Sequence, residues 1–460
     1  MRDSCLGEDS MRDYLFLAFL IALVPVCFFR PFVGILAWTW ISYFNPHRFA
    51  WGFAQELPAA MVVAIATMAG FVFSSNRRLP PKKRETMLLL LLWIWFALTT
   101  VSVYFSREFF HHFPDSLDRL SSVSKMLLMT FFAMMLVTDR HRLRSWYLVT
   151  AGSFAVLAFK GVLFGVLTAG QFRVMGPQKS MVGDNNAFGL ALNMCLPMFF
   201  YLAKLEESRR LRMILRIAFL FTIAGVILTY SRGALIGLAV VLITLAFKSK
   251  YKLPALAVVI VAAFLVVALA PTKWTKRMET LKTAKDIDPS ALSRINAWTL
   301  ATRLALDYPI MGGGFQTFTA PVYERYGLRE GPVILGPHSI YFQVLGEHGF
   351  PGLLIFLGLI GSCLLSCRKI RRQFATNALA RWPAAYADMI TVSLLAFATS
   401  GAFLGFAYFD LFYQLAATTV ILKCLAEEEL IVEAEGASAE SSVAESETEE
   451  FSSSYHLARE

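Results

Sequence analysis

Residues 209–252 read RRLRMILRIAFLFTIAGVILTYSRGALIGLAVVLITLAFKSKYK. Two apolar runs, 213–230 and 234–247, are joined by Ser231-Arg232-Gly233 and flanked by basic clusters. A helix rises about 1.5 Å per residue and the hydrocarbon of a bilayer is about 30 Å thick, so a spanning helix takes about 20 apolar residues. The stretch therefore predicts a pair of membrane helices that cross and return. Lys and Arg in short loops favour the cytoplasmic side, which puts the Ser-Arg-Gly turn on the other side.

The same pattern extends in both directions. Apolar segments lie at 13–44, 59–74, 87–105, 123–138, 146–168, 185–203, 213–230, 234–247, 254–270, 350–367, 384–409 and 411–426. The fold class predicted is all-α, a polytopic integral membrane protein with about twelve transmembrane helices. The first segment is too long for one straight crossing and is interrupted at Arg30-Pro31. It reads as one crossing followed by a half-inserted piece ending near Asn45-Pro46-His47-Arg48. Every second loop is basic: Arg77–Arg84, Arg140–Arg144, Arg209–Arg212, Lys248–Lys252 and Arg368–Arg372.

Composition agrees. Apolar residues make up 57% of the 460 and charged residues 17%, against about 25% charged in a soluble domain; the mean hydropathy is +0.55. The net charge of +10 sits in short loops between apolar runs, which argues for membrane orientation and against nucleic acid. The six cysteines show no zinc-like spacing with His, so neither a disulfide framework nor a structural metal is expected. Residues 1–12 are assigned to a cytoplasmic N-terminus and 13–270 to nine crossings with short loops. A long outer loop follows at 271–338, then a re-entrant segment and three crossings over 339–426. Residues 427–460 carry eleven acids against one Arg and read as a disordered cytoplasmic tail.

The long loop reads as folded. Asp288-Pro289 suits an N-cap with Pro at the first helical position, and Leu292, Ile295, Trp298 and Leu304 recur near helical spacing. Asp307-Tyr308-Pro309 ends that helix and Gly312-Gly313-Gly314 follows as a turn. Asp286-Ile287-Asp288 spells Asp-x-Asp, a hint of metal-dependent chemistry, but Asp288 is better used as the cap.

Chemistry gathers on the outer side. Arg232 in its tight turn can anchor at the interface or grip a phosphate in a bidentate fork. Arg294, in Ser293-Arg294-Ile295-Asn296-Ala297-Trp298, is an exposed helical charge or a second phosphate ligand. His338, in Gly336-Pro337-His338-Ser339, ends the long loop at a membrane mouth, where an imidazole can act as general base. Glu347 in the next helix can orient His338 or act as a second base. Gly349-Phe350-Pro351-Gly352 predicts a broken helix, a geometry tolerated where backbone lines a cavity.

In this order the motifs resemble the O-antigen ligase/polymerase superfamily of bacterial inner-membrane glycosyltransferases, over roughly residues 12–426. The resemblance is carried by Ser231–Gly233, Arg294 with Trp298, Gly312–Phe315, His338-Ser339 and Gly349–Gly352. Residues 11–53, Arg173–Pro177 and Gly183–Ala187 look like the branch of exosortase-A-system-associated O-glycosylation ligases. The resemblance implies a GT-C-like enzyme in the inner membrane with its site facing the periplasm. It implies metal-independent, inverting transfer of a glycan from an undecaprenyl-diphosphate-linked donor to a protein, lipid or glycan acceptor, with no cofactor. Carried over, His338, Arg294 and Arg232 are catalytic, and Arg173, Trp298, Gly313, Gly314, Ser339 and Glu347 bind substrate. A polysaccharide polymerase shares this donor chemistry. A glycan transporter or flippase is the reading from another class, but the halves show no internal repeat and few charges lie within the apolar runs.

Overall fold

In the computed structural model, residues 2–50, 52–74, 78–106, 115–248, 252, 289–328, 336–375 and 381–432 are described. Every regular element among them is helical. In chain order these are α1 (Arg2–Phe29), α2 (Pro31–Phe44), α3 (Ala59–Phe73), α4 (Arg84–Phe105), α5 (Asp115–Leu136), α6 (Arg140–Leu167) and α7 (Asn185–Leu205). There follow α8 (Arg209–Leu228), α9 (Arg232–Phe247), α10 (Pro289–Asp307), α11 (Ala320–Arg325), α12 (Ile340–Phe374), α13 (Trp382–Gly401) and α14 (410–432). Short 3-10 turns at Pro46–Phe49 and Phe53–Glu56 link α2 to α3.

Eight helices among the described residues are long and apolar enough to cross a membrane, and α2, α3 and α9 are shorter apolar helices. The all-α, multi-pass architecture is thus the one the sequence predicts. The apolar segment 254–270 lies outside the described residues, as do Asp286, Asp288 and the tail beyond 432.

The start of the chain departs from expectation. Arg30 breaks the helix and Pro31 opens the next one, its fixed φ suiting a first helical position. α2 then folds back along α1: the Phe19 and Trp40 rings lie 5.7 Å apart and the Gly52 N–H donates to Asp13 Oδ1 at 3.3 Å. The 13–44 segment is therefore one helix long enough to span followed by a 14-residue return whose end meets its start. Residue 13 lies at the end where α3 begins, not beside the basic loops.

Those basic connections gather at one end of the bundle. Arg140 lies over the Trp382 ring at 5.3 Å and Arg142 over Phe32 at 5.1 Å. Arg144 pairs with Glu206, and both Lys248 and Arg371 pair with Asp388. At the opposite end lie the 168–184 loop, the Ser231 turn, α10, α11 and residues 402–409.

The helix α7 occupies the centre. Seventeen of its residues are buried, whereas α8 leaves Met213, Ile214, Ile217 and Leu220 exposed, as a lipid-facing helix does. Small residues let the central helices approach: a Cβ at Gly189 of α7 would lie 2.5 Å from the Ala234 Cβ of α9. That contact sets the first turn of α9 against the first turns of α7. Asp184 caps α7 by accepting from the N–H groups of Asn186 (2.9 Å) and Ala187 (3.2 Å), and Ser231 caps α9 by accepting from Ala234 N–H at 3.2 Å. Two helix N-termini are thereby brought together away from the basic loops.

Candidate active site

A cavity of about 240 Å³ opens between these two helix starts. Its lining includes Arg173, Asp184, Asn185, Asn186, Ser231, Arg232, Arg294, His338, Ser400 and Phe403. Four residues singled out from the sequence, drawn from four separate elements, thus face one space.

Local bonds explain their placement. Ser231 Oγ donates to Asn186 Oδ1 at 2.7 Å, and Asn185 Nδ2 donates to the Thr229 carbonyl at 2.9 Å. The two caps are therefore one unit. The intervening Tyr230 sits in the left-handed region at φ 53°, and its hydroxyl donates to the Gly170 carbonyl at 2.7 Å. Val174 N–H donates to the Leu228 carbonyl at 3.0 Å, which fixes the neighbouring Arg173 on the same rim. From above, α10 supplies Arg294. One turn later on α10, Trp298 Nε1 donates to the Pro337 carbonyl at 2.9 Å while its ring stacks on Phe342 at 5.2 Å. That holds the His338 segment, whose own φ is 45°. A left-handed non-glycine residue costs about 1–2 kcal/mol, so the histidine is held in place by its surroundings.

The electrostatics suit an anion. Three guanidiniums and two helix N-termini meet in a space where Asp184, the one lining carboxylate among the described residues, is engaged as a cap. Unsatisfied N–H groups and the helix dipole make such termini favourable to negative charge. His338 Nε2 is buried and has no hydrogen-bond partner among the described residues. Burial, and next the Arg294 charge, hold the imidazole below its ordinary pKa, with Asp184 pulling the other way. The ring is thus neutral near pH 7, with a nitrogen able to accept a proton.

The remaining predicted residues do something else. Gly349 breaks α12 with φ 67°, ψ −171°, and the break frees three carbonyls, each of which finds a donor. Gly313 N–H donates to the Gly346 carbonyl at 2.8 Å, Gly314 N–H to that of Glu347 at 2.7 Å, and Trp95 Nε1 to that of His348 at 3.0 Å. Phe350 N–H returns a bond to the Pro309 carbonyl at 2.9 Å. Gly313 and Gly314 are a clamp on a broken helix; their amides are spent there and do not face the cavity, in contrast to the expected substrate-binding turn. Glu347 accepts from the Tyr408 hydroxyl and from Gln316 N–H at 3.1 Å, and makes no bond to His338. Trp298 acts on the site through Pro337. Ser339 is buried at the start of α12 and is not among the cavity-lining residues.

Sequence reading passed over Asp184, Asn185, Asn186 and Ser400 as site residues. The first three carried a signal: three polar residues in a row opening an apolar run on the outer side. Ser400 carried none, since it ends an ordinary apolar helix and reaches the cavity only through the packing of α13 on α9.

The fold and the cavity define a multi-pass membrane protein with an arginine-lined cavity at the end away from its basic loops. Residues 217–357 match the O-Antigen ligase family, and residues 11–207 match a family of unknown function. No curated protein matches the chain. The first match makes that stretch, about a third of the chain, similar to the O-Antigen ligase family. Arg232, Arg294 and His338 fall in the first stretch, Arg173 and Asp184–Asn186 in the second, so the cavity is built from both.

Proposed function

We propose that the protein is a glycan ligase that takes its glycan from undecaprenyl diphosphate and transfers it to an acceptor hydroxyl at the periplasmic face of the inner membrane. The observation that carries this reading is the meeting of Arg173, Arg232 and Arg294 with His338 around one cavity. The acceptor oxygen attacks C1 of the donor sugar from the face opposite the lipid diphosphate. The new C–O bond forms as the C1–O bond to the diphosphate breaks, so the centre inverts. The acceptor proton passes to His338 Nε2. The negative charge that builds on the leaving diphosphate falls on the guanidiniums and the starts of α7 and α9, preorganised charges of the kind that lower such a barrier most. The acceptor is a protein, a lipid or another glycan. A polymerase of the same superfamily shares every step except the identity of the acceptor.

The test is deletion of the gene in its host, with lipid-linked glycans profiled by mass spectrometry. Wild type and His338→Ala are reintroduced at matched expression. Accumulation of long lipid-linked chains, cleared by wild type and not by His338→Ala, supports the ligase. Accumulation of single repeat units assigns a polymerase. An unchanged pool removes the proposal and favours a transporter.

A further inference from the structure

At the end of the bundle that carries the basic loops, a second cavity of about 450 Å³ lies between α4, α12 and α14. That size falls within the roughly 300–1,000 Å³ of ligand sites. Its floor is a built polar network. Glu85 is fully buried and accepts from Ser362 Oγ and Ser366 Oγ, both at 2.6 Å, and from Lys423 Nζ at 2.8 Å. Glu85 is thereby paired with Lys423, and Glu427 on the rim with Lys83.

Among the described residues the lining carries three cations, Arg84, Lys369 and Lys423, and Glu85 is shared by two of them. Arg84 Nε donates to Ser362 Oγ at 2.7 Å and its guanidinium lies 3.6 Å from Glu85 Oε1, so Arg84 is held at the cavity edge and shares that carboxylate with Lys423. Lys369 is exposed and makes no ion pair among the described residues. Beside Ser366 and Gln373, one wall of the lining is apolar: Leu365, 57% exposed on the outer surface of α12, with Ile370, Ala426 and Leu430. A cationic pocket with an apolar wall, at the basic end of a membrane bundle, has the chemistry of an anionic phospholipid: a phosphate against Arg84 and Lys369, and acyl chains along Leu365 and Leu430.

We infer that this cavity binds the phosphate headgroup of an anionic phospholipid of the leaflet at the basic end. The lipid joins α4, α12 and α14 at the end opposite the glycan-transfer cavity, and the inference stands whether or not the transfer reading holds. The other candidate occupant is the acidic segment after residue 432, which begins beside Glu427 and Leu430 on α14. The apolar wall favours the lipid, since a run of Glu and Ser has nothing to place against Leu365.

The experiment uses the full chain, purified and delipidated in mild detergent. Binding of phosphatidylglycerol and of phosphatidylcholine with the same acyl chains is measured by native mass spectrometry. Lys369→Ala removes a side chain with no ion-pair partner among the described residues, so its unliganded Tm should equal that of wild type. Arg372→Ala removes the same charge from the same end, outside the cavity. Phosphatidylglycerol should bind in preference to phosphatidylcholine, and should weaken about fivefold in Lys369→Ala, the order expected for one cation at an anionic lipid surface. It should not weaken in Arg372→Ala or in the chain ended at Val432. Equal binding of the two lipids, or an equal loss in Arg372→Ala, overturns the inference. So does displacement of the lipid by millimolar inorganic phosphate, which makes this a free-anion site. Binding of phosphatidylglycerol only after truncation at Val432 assigns the cavity to the tail instead.

Discussion

The transfer cavity and the Gly349 break lie on the same side of the bundle and draw on the same long loop, yet their polar groups are used differently. At the break, the amides of Gly313 and Gly314 bond to the carbonyls before Gly349, and the Glu347 carboxylate accepts from Tyr408 and Gln316. In the cavity, guanidiniums from three elements line one space together with His338. At the break it is chiefly backbone that is bonded to backbone, which holds the fold; in the cavity it is charged side chains that share a space large enough for a ligand group.

The sharpest way to break that contrast is substitution in the cavity. His338→Ala should lower transfer about 10²–10⁴-fold, and Arg294→Ala about 10²–10³-fold, both with unchanged elution from a sizing column. Measured in isolated membranes with a lipid-linked donor, full activity in His338→Ala would sink the assignment. Next in size, Gly349→Ala should act on stability. Its Cβ would lie 2.6 Å from the Ile310 and Pro309 carbonyl oxygens, at a φ of 67°. A cost of at least about 1–3 kcal/mol follows from the backbone strain alone, read as a lower Tm in detergent with per-molecule rate kept in what folds. Lost rate at unchanged Tm would place the break in the chemistry.

A pH profile sharpens the comparison further. His338 must be neutral to act as base, and its pKa is held below 6.5 by burial and by Arg294. The rate should therefore be flat above pH 6.5 and fall as pH drops through the lowered value. Arg294→Gln, which removes the repelling charge, should shift the residual activity's acid limb upward. A limb above pH 7 in the wild type would contradict the neutral imidazole. The smallest effect expected is that of Trp298→Phe, which keeps a ring on Phe342 and loses the bond to Pro337. It should cost about 1 kcal/mol in Tm, with a fewfold slower rate.

The crossings were legible because lipid imposes long apolar runs and basic loops, signals that survive in one dimension. Arg232 was legible for the same reason: a charge in a two-run turn, on the side where topology does not need it. The α1–α2 hairpin was not, since α2 has 14 residues, short of a full span, and Arg30-Pro31 reads equally as a kink or a reversal. Gly313 and Gly314 were misread because the demand they meet arises 33 or more residues later, at the carbonyls freed by Gly349. The role of Asn186 depends on a bond to Ser231, 45 residues away, that spacing does not encode.

The bond from Trp298 to Pro337 has a mechanical consequence. Arg294 lies one turn from Trp298 on a single rigid rod, and Pro337 is the immediate neighbour of His338. Any tilt of that rod would move the guanidinium and, through the Pro337 carbonyl, the segment that carries His338 together, so the spacing of the two is set by one bond.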